Sequence, residues 1–588
     1  MKKRDLYYER IPTKLLREDF RLLGTYLGRV IKDQEGLAFF KIVEKFRLLS
    51  KNTLIDKNKF KILSKISKEV KKLSSENIFK LTRAFSQILN LLNLAESIDA
   101  SRRLNEYQNP YFKSKNQNLF IEDVIEGLFK NKAISKKKIY EQATKLDIGI
   151  VLTAHPTEVK RRTLIQKYAN LIHIMEQRHL YKKYPSKIIE LDRQLYSEIA
   201  IIWKTDELKR TKPSPLDEAR WGLAVIEDSL WDTIPRVYKR LNDIFRKNLK
   251  KDLPRDFNPI QFGSWMGGDR DGNPNVTAEV TKRVILFSRW QAAKLYEKEL
   301  TKLIQDLSME ECSPKIKKIT GNSFEPYRVF LRPIRDKARL THQLIEDHLN
   351  NNSFLDEKKL IQNKNEITFP LREVRNSLKL NKEDHIANAD LLDLMRRVRC
   401  FGINLARLDI RQESGRHSKL LNEIFKRKNN IKYTSLIEQE KINLLNKLIK
   451  KKKNFVHNIK LKDGENKEVW NTFKEISRTP DECLGAYVIS MTSTASDILS
   501  VYFLQMQAKI KNLIRVVPLF ETLDDLKNAN GVMANLFKLP WYRKMINSKQ
   551  EVMIGYSDSS KDAGKLSASW HQYKLQEELR NLAKKYNI

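Results

Sequence analysis

The sequence contains few cysteines and no long apolar segment. Its 588 residues include three cysteines, Cys312, Cys400 and Cys483, which lie far apart and lack the spacing of metal ligands. They are expected to be buried thiols in a reducing cytosol. No apolar run approaches the length of a membrane span, and the charged N-terminal residues do not lead into the apolar core of a signal peptide. These absences predict a cytoplasmic protein with no membrane partner.

Acidic residues are scarce relative to basic ones. The chain has 112 Lys and Arg residues against 73 Asp and Glu residues, a formal net charge of +39. One interpretation is a polyanion-binding protein whose densest basic patch is Lys450 to Lys453. The lysines are instead spread between apolar helix positions along the whole chain, without an interleaved aromatic platform. This diffuse pattern favours a general compositional bias, so we expect no nucleic-acid partner.

Most of the chain has helical periodicity. Between residues 14 and 145, apolar residues recur at the 3.6-residue spacing of amphipathic helices, for example from Leu22 to Val30. A further helix is predicted from Asp217, which is a plausible cap because two prolines stand just before it. The polar segment 425–470 is interpreted as exposed helices and a loop. Residues 1–145 are therefore predicted to form an N-terminal helical part.

Six short apolar runs stand out against this helical background and are predicted to be strands. They are Ile148 to Leu152, Ile260 to Met266, Ile403 to Ile410, Ala486 to Met491, Ile514 to Phe520, and Val552 to Ile554. Strands separated by long helical stretches pair in parallel through helical crossovers, as in a barrel or a doubly wound sheet. Functional residues of such folds lie at the carboxyl ends of the strands. A closed eight-stranded barrel would need two more strands.

The first polar stretch that follows a predicted strand is Thr153–Glu158. It contains His155, held by the following proline and close to two arginines, Arg161 and Arg162. A histidine in this position can carry a proton near a bound anion. A purely structural histidine is the alternative.

The second stretch, Gly263–Pro274, is a glycine-rich turn in which Arg270 has one acid on each side. Its glycines would let the backbone approach a ligand closely, and Trp265 is a candidate pocket wall. Alternatively, Asp269 and Asp271 hold Arg270 and cap the next helix.

The third stretch, Leu408–Ser414, contains Arg411 at a strand end. A guanidinium there can clamp a phosphate or carboxylate with two hydrogen bonds. The competing interpretation is a buried ion pair between Arg411 and Asp409 or Glu413.

The last two stretches, Val516–Leu523 and Val552–Gly564, each place an acid after an apolar strand. Glu521 alone could be a helix N-terminal acid, but together with Asp558 it makes a thiol-free oxygen site that favours Mg²⁺ or Mn²⁺. We expect the two carboxylates to approach within about 4–5 Å of each other so that they can share one ion. With Lys561, Arg411 and His155 around them, a small, multiply anionic substrate is expected.

Together these five stretches resemble the phosphoenolpyruvate carboxylase family, with weaker matches at residues 21–24 and 83–96. The resemblance implies that Glu521 and Asp558 hold Mg²⁺ and that Arg411 binds the substrate phosphate. It also implies that Trp265 and Leu519 form walls of the pocket. By the same resemblance, Lys561 lies near bicarbonate and His155 is the catalytic base. The implied reaction transfers phosphate from phosphoenolpyruvate to bicarbonate and then joins the enolate of pyruvate to CO₂, giving oxaloacetate and phosphate.

The resemblance also implies the fold and the partners. The expected fold is α/β and predominantly α-helical, with an incomplete parallel (β/α) barrel and extensive added helices in one continuous catalytic domain, residues 146–588. The family's C-terminal part has no counterpart in this sequence, so we expect an open sheet edge after Val552, little carboxylase activity of the chain alone, and a possible separate C-terminal fragment. Members of the family are usually homotetramers. The alternatives are a catalytically inactive remnant acting as a binding or scaffolding subunit, and the basic polyanion-binding protein.

Overall fold

A computed structural model describes most of the chain and divides it into two compact units. The described residues are 14–55, 59–107, 121–131, 133–153, 161–207, 213–254, 256–451, 455–456, 459, 461–462 and 464–588. One unit comprises the described residues up to 107 together with 161–207, and the other comprises the described residues of 121–153 and 213–588. This division differs from the predicted boundary at residue 145.

Helices account for most of the described residues. They are α1 (Lys14–Ile55), α2 (Lys59–Val70), α3 (Ser75–Tyr107), α4 (Ile121–Lys130), α5 (Lys136–Ala143), α6 (Arg162–Leu180), α7 (Pro185–Lys204), α8 (Pro215–Val225), α9 (Trp231–Leu249), α10 (Ala278–Asp306), α11 (Pro314–Thr320), α12 (Pro326–Asn351), α13 (Asn365–Leu380), α14 (Asp384–Ala387), α15 (Asp390–Phe401), α16 (Ser414–Asn429), α17 (Glu438–Lys451), α18 (Glu465–Arg478), α19 (Ala495–Gln507), α20 (Leu523–Phe537), α21 (Pro540–Met545), α22 (Ser557–Ala563) and α23 (Lys565–Tyr586). None of the helices within the described ranges combines the length and the apolarity that crossing a bilayer requires.

The first unit is a bundle of α1, α2, α3, α6 and α7. The apolar faces of these helices meet in one core that includes Leu23, Leu171, Leu195 and Trp203. Helices α6 and α7 pack on each other and on α3 and α1, whereas α4 and α5 belong to the second unit, where α4 packs on α9. These contacts, which join segments distant in sequence, explain why the compact units do not follow a single cut in the chain.

The second unit is built on a parallel sheet. Its strands are β1 (Ile148–Leu152), β2 (Ile260–Ser264), β3 (Arg407–Glu413), β4 (Leu484–Ser490), β5 (Val516–Phe520) and β6 (Met553–Ile554). They pair in chain order, each parallel to the next. The sheet curls into half a barrel, which confirms the predicted α/β fold with an incomplete parallel barrel.

The six predicted strands are all present, with the largest difference in bounds at β3. The sequence predicted residues 403–410, whereas the strand occupies Arg407–Glu413. Leu405 has a positive φ of 49°, so the chain cannot be extended there and the strand begins only after this turn. The predicted cap of α8 also shifts, because Ser214 is the N-cap residue and Asp217 completes the capping box from the third helical position.

Both edges of the sheet remain unpaired within the described residues. Strand β1 pairs only with β2, and Ile148, Ile150 and Val151 are exposed. Strand β6 pairs only with β5, and Tyr556, two residues after it, is also exposed, as is Trp570 on α23. The amino-terminal ends of the strands border an open cavity of about 720 Å³. Closing an eight-stranded barrel would require two further strands between β6 and β1.

Candidate active site

Arg411 lies near the carboxyl end of β3 and is surrounded by three carboxylates. Its Nη1 atom lies 3.2 Å from Asp269 Oδ2, and its Nη2 atom lies 2.7 Å from Asp271 Oδ2 and 3.0 Å from Glu521 Oε1. The guanidinium carbon is 5.2 Å from the centroid of the Trp265 ring. The Arg411 side chain is only 14% exposed. Residues from three of the predicted stretches therefore meet at one point.

These contacts differ from the local ion pairs that the sequence left open, whereas anion binding by Arg411 stays a prediction. The sequence left open a buried ion pair with Asp409 or Glu413, but the ion pairs observed join Arg411 to the Gly263–Pro274 turn and to Glu521. Local ion pairing therefore does not account for Arg411. A guanidinium held between the ends of distant segments is positioned to exchange a carboxylate partner for an incoming anion.

The Gly263–Pro274 turn is joined to β3 through its backbone. The N–H of Arg270 donates to the carbonyl of Arg411 at 3.0 Å, and the N–H of Arg411 donates to the carbonyl of Gly268 at 2.9 Å. A Cβ atom on Gly268 would lie 2.0 Å from the carbonyl oxygen of Asp409, so only glycine allows this close approach. The turn is thereby fixed against the strand that carries Arg411.

Arg270 anchors the turn and is not held by its acidic neighbours. Its Nη1 atom donates to the carbonyl of Gly268 at 2.9 Å, and its Nη2 atom donates to Thr281 Oγ1 at 2.6 Å. Burial lowers the pKa of Arg270 to about 10. The alternative in which Asp269 and Asp271 hold Arg270 is thus not observed. Both acids contact Arg411.

Glu521 follows β5 directly and is buried. Its Oε1 atom accepts from Arg411 Nη2 at 3.0 Å, and its Oε2 atom accepts from the N–H of Met491 at 3.0 Å. Burial is the main cause that raises the pKa of Glu521, the bonds from Met491 and Arg411 oppose it, and the negative charges of Asp271 and Asp558 add to it. The contribution of Asp558 shows that its negative charge is felt at Glu521.

Asp558 and Lys561 both lie on α22, the short helix that follows β6. Lys561 Nζ lies 3.3 Å from Asp558 Oδ1, and the two side chains are 78% and 56% exposed. This pair lies one turn apart on the same helix. The sequence correctly placed both residues after the last strand, but their roles as bicarbonate-site lysine and metal ligand remain predictions.

The carboxylates at this edge suit a magnesium ion. Across the described ranges, no group of three or more His, Cys, Asp or Glu side chains could hold a metal. Mg²⁺, however, is commonly bound through one or two carboxylates, with substrate phosphate and waters completing its shell. Glu521 and Asp558 supply two carboxylates. Burial is the main cause that raises the pKa of Glu521, and the charges of Asp271 and Asp558 add negative potential that a cation would offset. The donor set fits the predicted ion.

Trp265 and Leu519 are the two residues predicted to wall the pocket. The indole N–H of Trp265 donates to Asp409 Oδ2 at 3.1 Å while its ring faces Arg411. Leu519 is buried on β5 beside Val488 and Val517. Trp265 therefore borders Arg411 directly. For Leu519 the structure establishes a core position on the strand that leads into Glu521, and its role as a pocket wall stays a prediction.

His155 lies outside the described residues, as does the rest of 154–160. The strand that precedes it, β1, is parallel to β2 and in register with it, with Leu152 opposite Ser264. Thr153 thus emerges at the same edge of the sheet as Trp265. The prediction that His155 reaches the site stays untested.

Asp409 also contacts the site, although the sequence did not predict it as a site residue. Its carboxylate accepts hydrogen bonds from Trp265 Nε1 and, at 2.6 Å, from the N–H of Ala486. Burial raises the pKa of Asp409, and these two hydrogen bonds oppose the shift. The signal available was its spacing of two residues from Arg411, which puts both side chains on one face of β3.

The fold and the site define an α/β protein in which an arginine and three carboxylates meet at the carboxyl edge of a parallel, barrel-type sheet. The model of the family described as phosphoenolpyruvate carboxylase matches residues 16–588. The chain belongs to this family.

Curated relatives support the assignment. The protein named phosphoenolpyruvate carboxylase from Acinetobacter baumannii is 40% identical over 585 residues, covering 97% of this chain and 64% of the relative. Those from Haemophilus influenzae strain 86-028NP and Escherichia coli O81 are each 39% identical, with the same two coverages. The chain thus spans about 64% of the length of these relatives.

Proposed function

We propose that this chain contributes to an enzyme that carboxylates phosphoenolpyruvate with bicarbonate, giving oxaloacetate and phosphate, and that it supplies the phosphate-binding side of the active site. The observation that carries the proposal is Arg411, enclosed by Asp269, Asp271 and Glu521 at the carboxyl edge of the sheet. A buried guanidinium already paired with carboxylates is suited to a substrate that carries both a phosphate and a carboxylate.

Arg411 would bind the substrate phosphate by exchanging partners. Its Nη2 atom is shared between Asp271 and Glu521, and Nη1 contacts Asp269, so the terminal N–H groups are already directed at oxygen atoms. A phosphate that replaces the Asp271 carboxylate would keep the guanidinium paired. The Trp265 ring below the guanidinium and the apolar Leu519 layer would exclude water from the methylene side of the substrate.

Glu521 and Asp558 would hold Mg²⁺ or Mn²⁺ between β5 and α22. When bound, such an ion acts as a Lewis acid that offsets negative charge on phosphate and enolate oxygens. Glu521 would leave Arg411 only in part, since its Oε2 atom stays anchored by the N–H of Met491. This anchor fixes the direction of the remaining carboxylate oxygen.

Lys561 and His155 are proposed for the bicarbonate half of the reaction. The exposed Lys561 ammonium can attract an anion and release Asp558 for metal binding. His155 would serve as the base that accepts the proton of the carboxyphosphate intermediate as CO₂ is released. Both roles are carried over from the family motif.

Closure of the site would require further structure at the open sheet edges. Two strands paired between β6 and β1 would cover the exposed Ile150, Val151 and Trp570. We propose that more polypeptide of the same family type, in the same or a separate chain, provides them, and that the assembled protein is a cytoplasmic homotetramer. The three cysteines are free thiols, which suits a reducing compartment; Cys400 and Cys483 are buried as expected, whereas Cys312 is only partly buried.

The binding step can be tested on the 588-residue chain by calorimetric titration of phosphoenolpyruvate in the presence of Mg²⁺. Arg411→Ala should weaken binding at least about 10-fold, because charge-assisted hydrogen bonds are lost. The matched control is Arg427→Ala on α16, which removes a surface arginine paired with Glu423. Equal affinities of the two variants would contradict the proposal.

The chemical step is tested by measuring oxaloacetate formation from phosphoenolpyruvate and bicarbonate. With the Lys561 and Asp558 side chains open to solvent, we expect the chain alone to bind substrate but to carboxylate it slowly, because water would protonate the enolate. Rapid turnover by this chain alone would show that the exposed half of the site needs no cover.

A further inference from the structure

We propose that Asp409 is a positioning residue that holds the indole of Trp265 against the guanidinium of Arg411. The proposal rests on the proposed function in one respect: it takes the space beside Arg411 and Trp265 as the place where the phosphorylated substrate binds. Asp409 is 6% exposed and lies beneath this space, so it acts through Trp265 without touching the substrate.

Among the residues that the structure describes, Asp409 is the one hydrogen-bond partner of the Trp265 indole N–H. A tryptophan side chain carries a single hydrogen-bonding atom, which can only donate. In Trp265 that atom donates to Asp409 Oδ2 at 3.1 Å. The backbone of Trp265 is fixed separately, since its N–H donates to the carbonyl of Leu152 and its carbonyl accepts from Gly268 and Asp269. The contact with Asp409 therefore selects the orientation of the ring.

The ring orientation in turn determines the environment of Arg411. The guanidinium carbon lies 5.2 Å from the ring centroid, within the range of a cation–π contact. Rotation of the indole would remove the flat surface that borders the guanidinium and would open space beside it. Arg411 would then be restrained only by carboxylates on its other sides.

The Asp409 carboxylate is itself held in place, through its Oδ1 atom. The pairing of β3 with β4 shifts register between Leu408 and Ile410, which leaves an extra residue on β4. At this irregularity the N–H of Ala486 donates to Asp409 Oδ1 at 2.6 Å. The neighbouring Gly485 leaves room for the carboxylate, because a Cβ there would lie 2.0 Å from Oδ1. Asp409 is thus clamped by β4 and directed at Trp265.

The isosteric variant Asp409→Asn tests this arrangement. Asparagine fits the same space but has only one carbonyl oxygen, so either Ala486 or Trp265 faces an amide donor and loses its acceptor. The first measurement is the ¹⁹F NMR spectrum of the free protein labelled with 5-fluorotryptophan. The chain has eight tryptophans, and Trp265→Phe assigns the relevant resonance. Asp409→Asn should move this resonance more than the others. An unmoved Trp265 resonance would overturn the proposal.

A double-mutant cycle provides the second measurement, with phosphoenolpyruvate as the probe in calorimetric titrations. Loss of one hydrogen bond should weaken binding about 3- to 10-fold in Asp409→Asn. If Asp409 acts through the indole, adding Asp409→Asn to Trp265→Phe should cause no further loss. Independent, multiplicative losses would show that Asp409 does not act through Trp265.

Thr341→Val is the matched control for the loss of a buried polar contact. Thr341 lies on α12, where its hydroxyl donates to the carbonyl of Lys337 and accepts from the N–H of Ile361. This variant should lower thermal stability without moving the Trp265 resonance or changing the affinity. If the wild-type chain does not bind phosphoenolpyruvate, the proposed function fails while the NMR measurement still decides the role of Asp409.

Discussion

Arg411 and Lys561 are both cations near the carboxyl edge of the same sheet, but the protein encloses only one of them. The Arg411 side chain is 14% exposed and contacts three carboxylates from distant segments. The Lys561 side chain is 78% exposed and contacts Asp558, its neighbour on the same short helix. The residues at the ends of β3 and β5 therefore form a half of the site that is fixed by contacts between distant segments, whereas the Asp558–Lys561 half after β6 is exposed and paired within one short helix.

The difference follows from the sheet. Strands β3, β4 and β5 each have neighbours on both sides, so side chains at their ends are packed from several directions. Strand β6 has two residues and a single neighbour, and α22 after it is held mainly by α23 and α20. Side chains at the centre of a sheet are held by more buried contacts than side chains at its edge, so they are expected to move less.

The largest expected difference between the two half-sites is in stability. Arg411→Ala leaves Asp269, Asp271 and Glu521 without their shared cation, and breaking a buried ion pair typically costs about 3–5 kcal/mol. We expect a loss near the lower value, because two of the three carboxylates are partly exposed. Urea unfolding of the purified chain measures it. A loss below about 1 kcal/mol would mean that Arg411 is not held as firmly as its contacts indicate.

The next effect concerns the close approach of the turn to β3. Gly268→Ala would place a Cβ 2.0 Å from the Asp409 carbonyl oxygen, so the turn must move, at a cost of about 1–3 kcal/mol or more. The matched change is Gly531→Ala on α20, where a Cβ meets nothing within 4 Å. There the higher helix propensity of alanine should stabilise the protein by up to about 1 kcal/mol. Changes of the same sign and size in thermal unfolding would refute this contrast.

The sequence predicted the strands and most residues of the Arg411 site, but not all of the contacts among them. Apolar runs marked all six strands, and the acids and bases at their ends were identified as functional candidates. Arg411 was expected near Glu521, but its ion pairs with Asp269 and Asp271 were not predicted, because those residues are distant in sequence and meet Arg411 only through parallel pairing. Local spacing had instead pointed to Asp409 and Glu413. By contrast, the pairing of Lys561 with Asp558 could have been read from their i,i+3 spacing on a helix.

A smaller and more specific effect is expected for metal binding, measured by EPR titration with Mn²⁺. Glu521→Gln and Asp558→Asn should each weaken binding at least about 10-fold if the two carboxylates share one ion. Asp558→Asn should do so without loss of stability, since its carboxylate is 56% exposed. Unchanged Mn²⁺ affinity in both variants would remove Glu521 and Asp558 as metal ligands.

The pH dependence of Mn²⁺ binding should reflect protonation of the buried Glu521 carboxylate. Burial raises the pKa of Glu521 above its usual value of 4.5. Because this pKa is raised, the folded state takes up a proton at a higher pH than the unfolded state does as the pH falls. Protonation of Glu521 therefore stabilises the fold. The same proton competes with the metal ion for the carboxylate. Mn²⁺ affinity should therefore begin to decline at a pH above 4.5, and Glu521→Gln should remove that part of the decline. A decline centred at 4.5 or below would contradict the role of the buried carboxylate.

The smallest effect is expected for Lys561→Ala. Its contact with Asp558 spans one turn of α22 at 3.3 Å between side chains that are mostly in solvent, where ion pairs contribute only about 0.2–1 kcal/mol. Removing the ammonium also leaves Asp558 in contact with water, so no buried charge is left without a partner. We expect a change in unfolding free energy within about 0.5 kcal/mol. Adding salt should shrink it further, because exposed charges are screened. A loss comparable to that of Arg411→Ala would mean that α22 is held as firmly as the centre of the sheet.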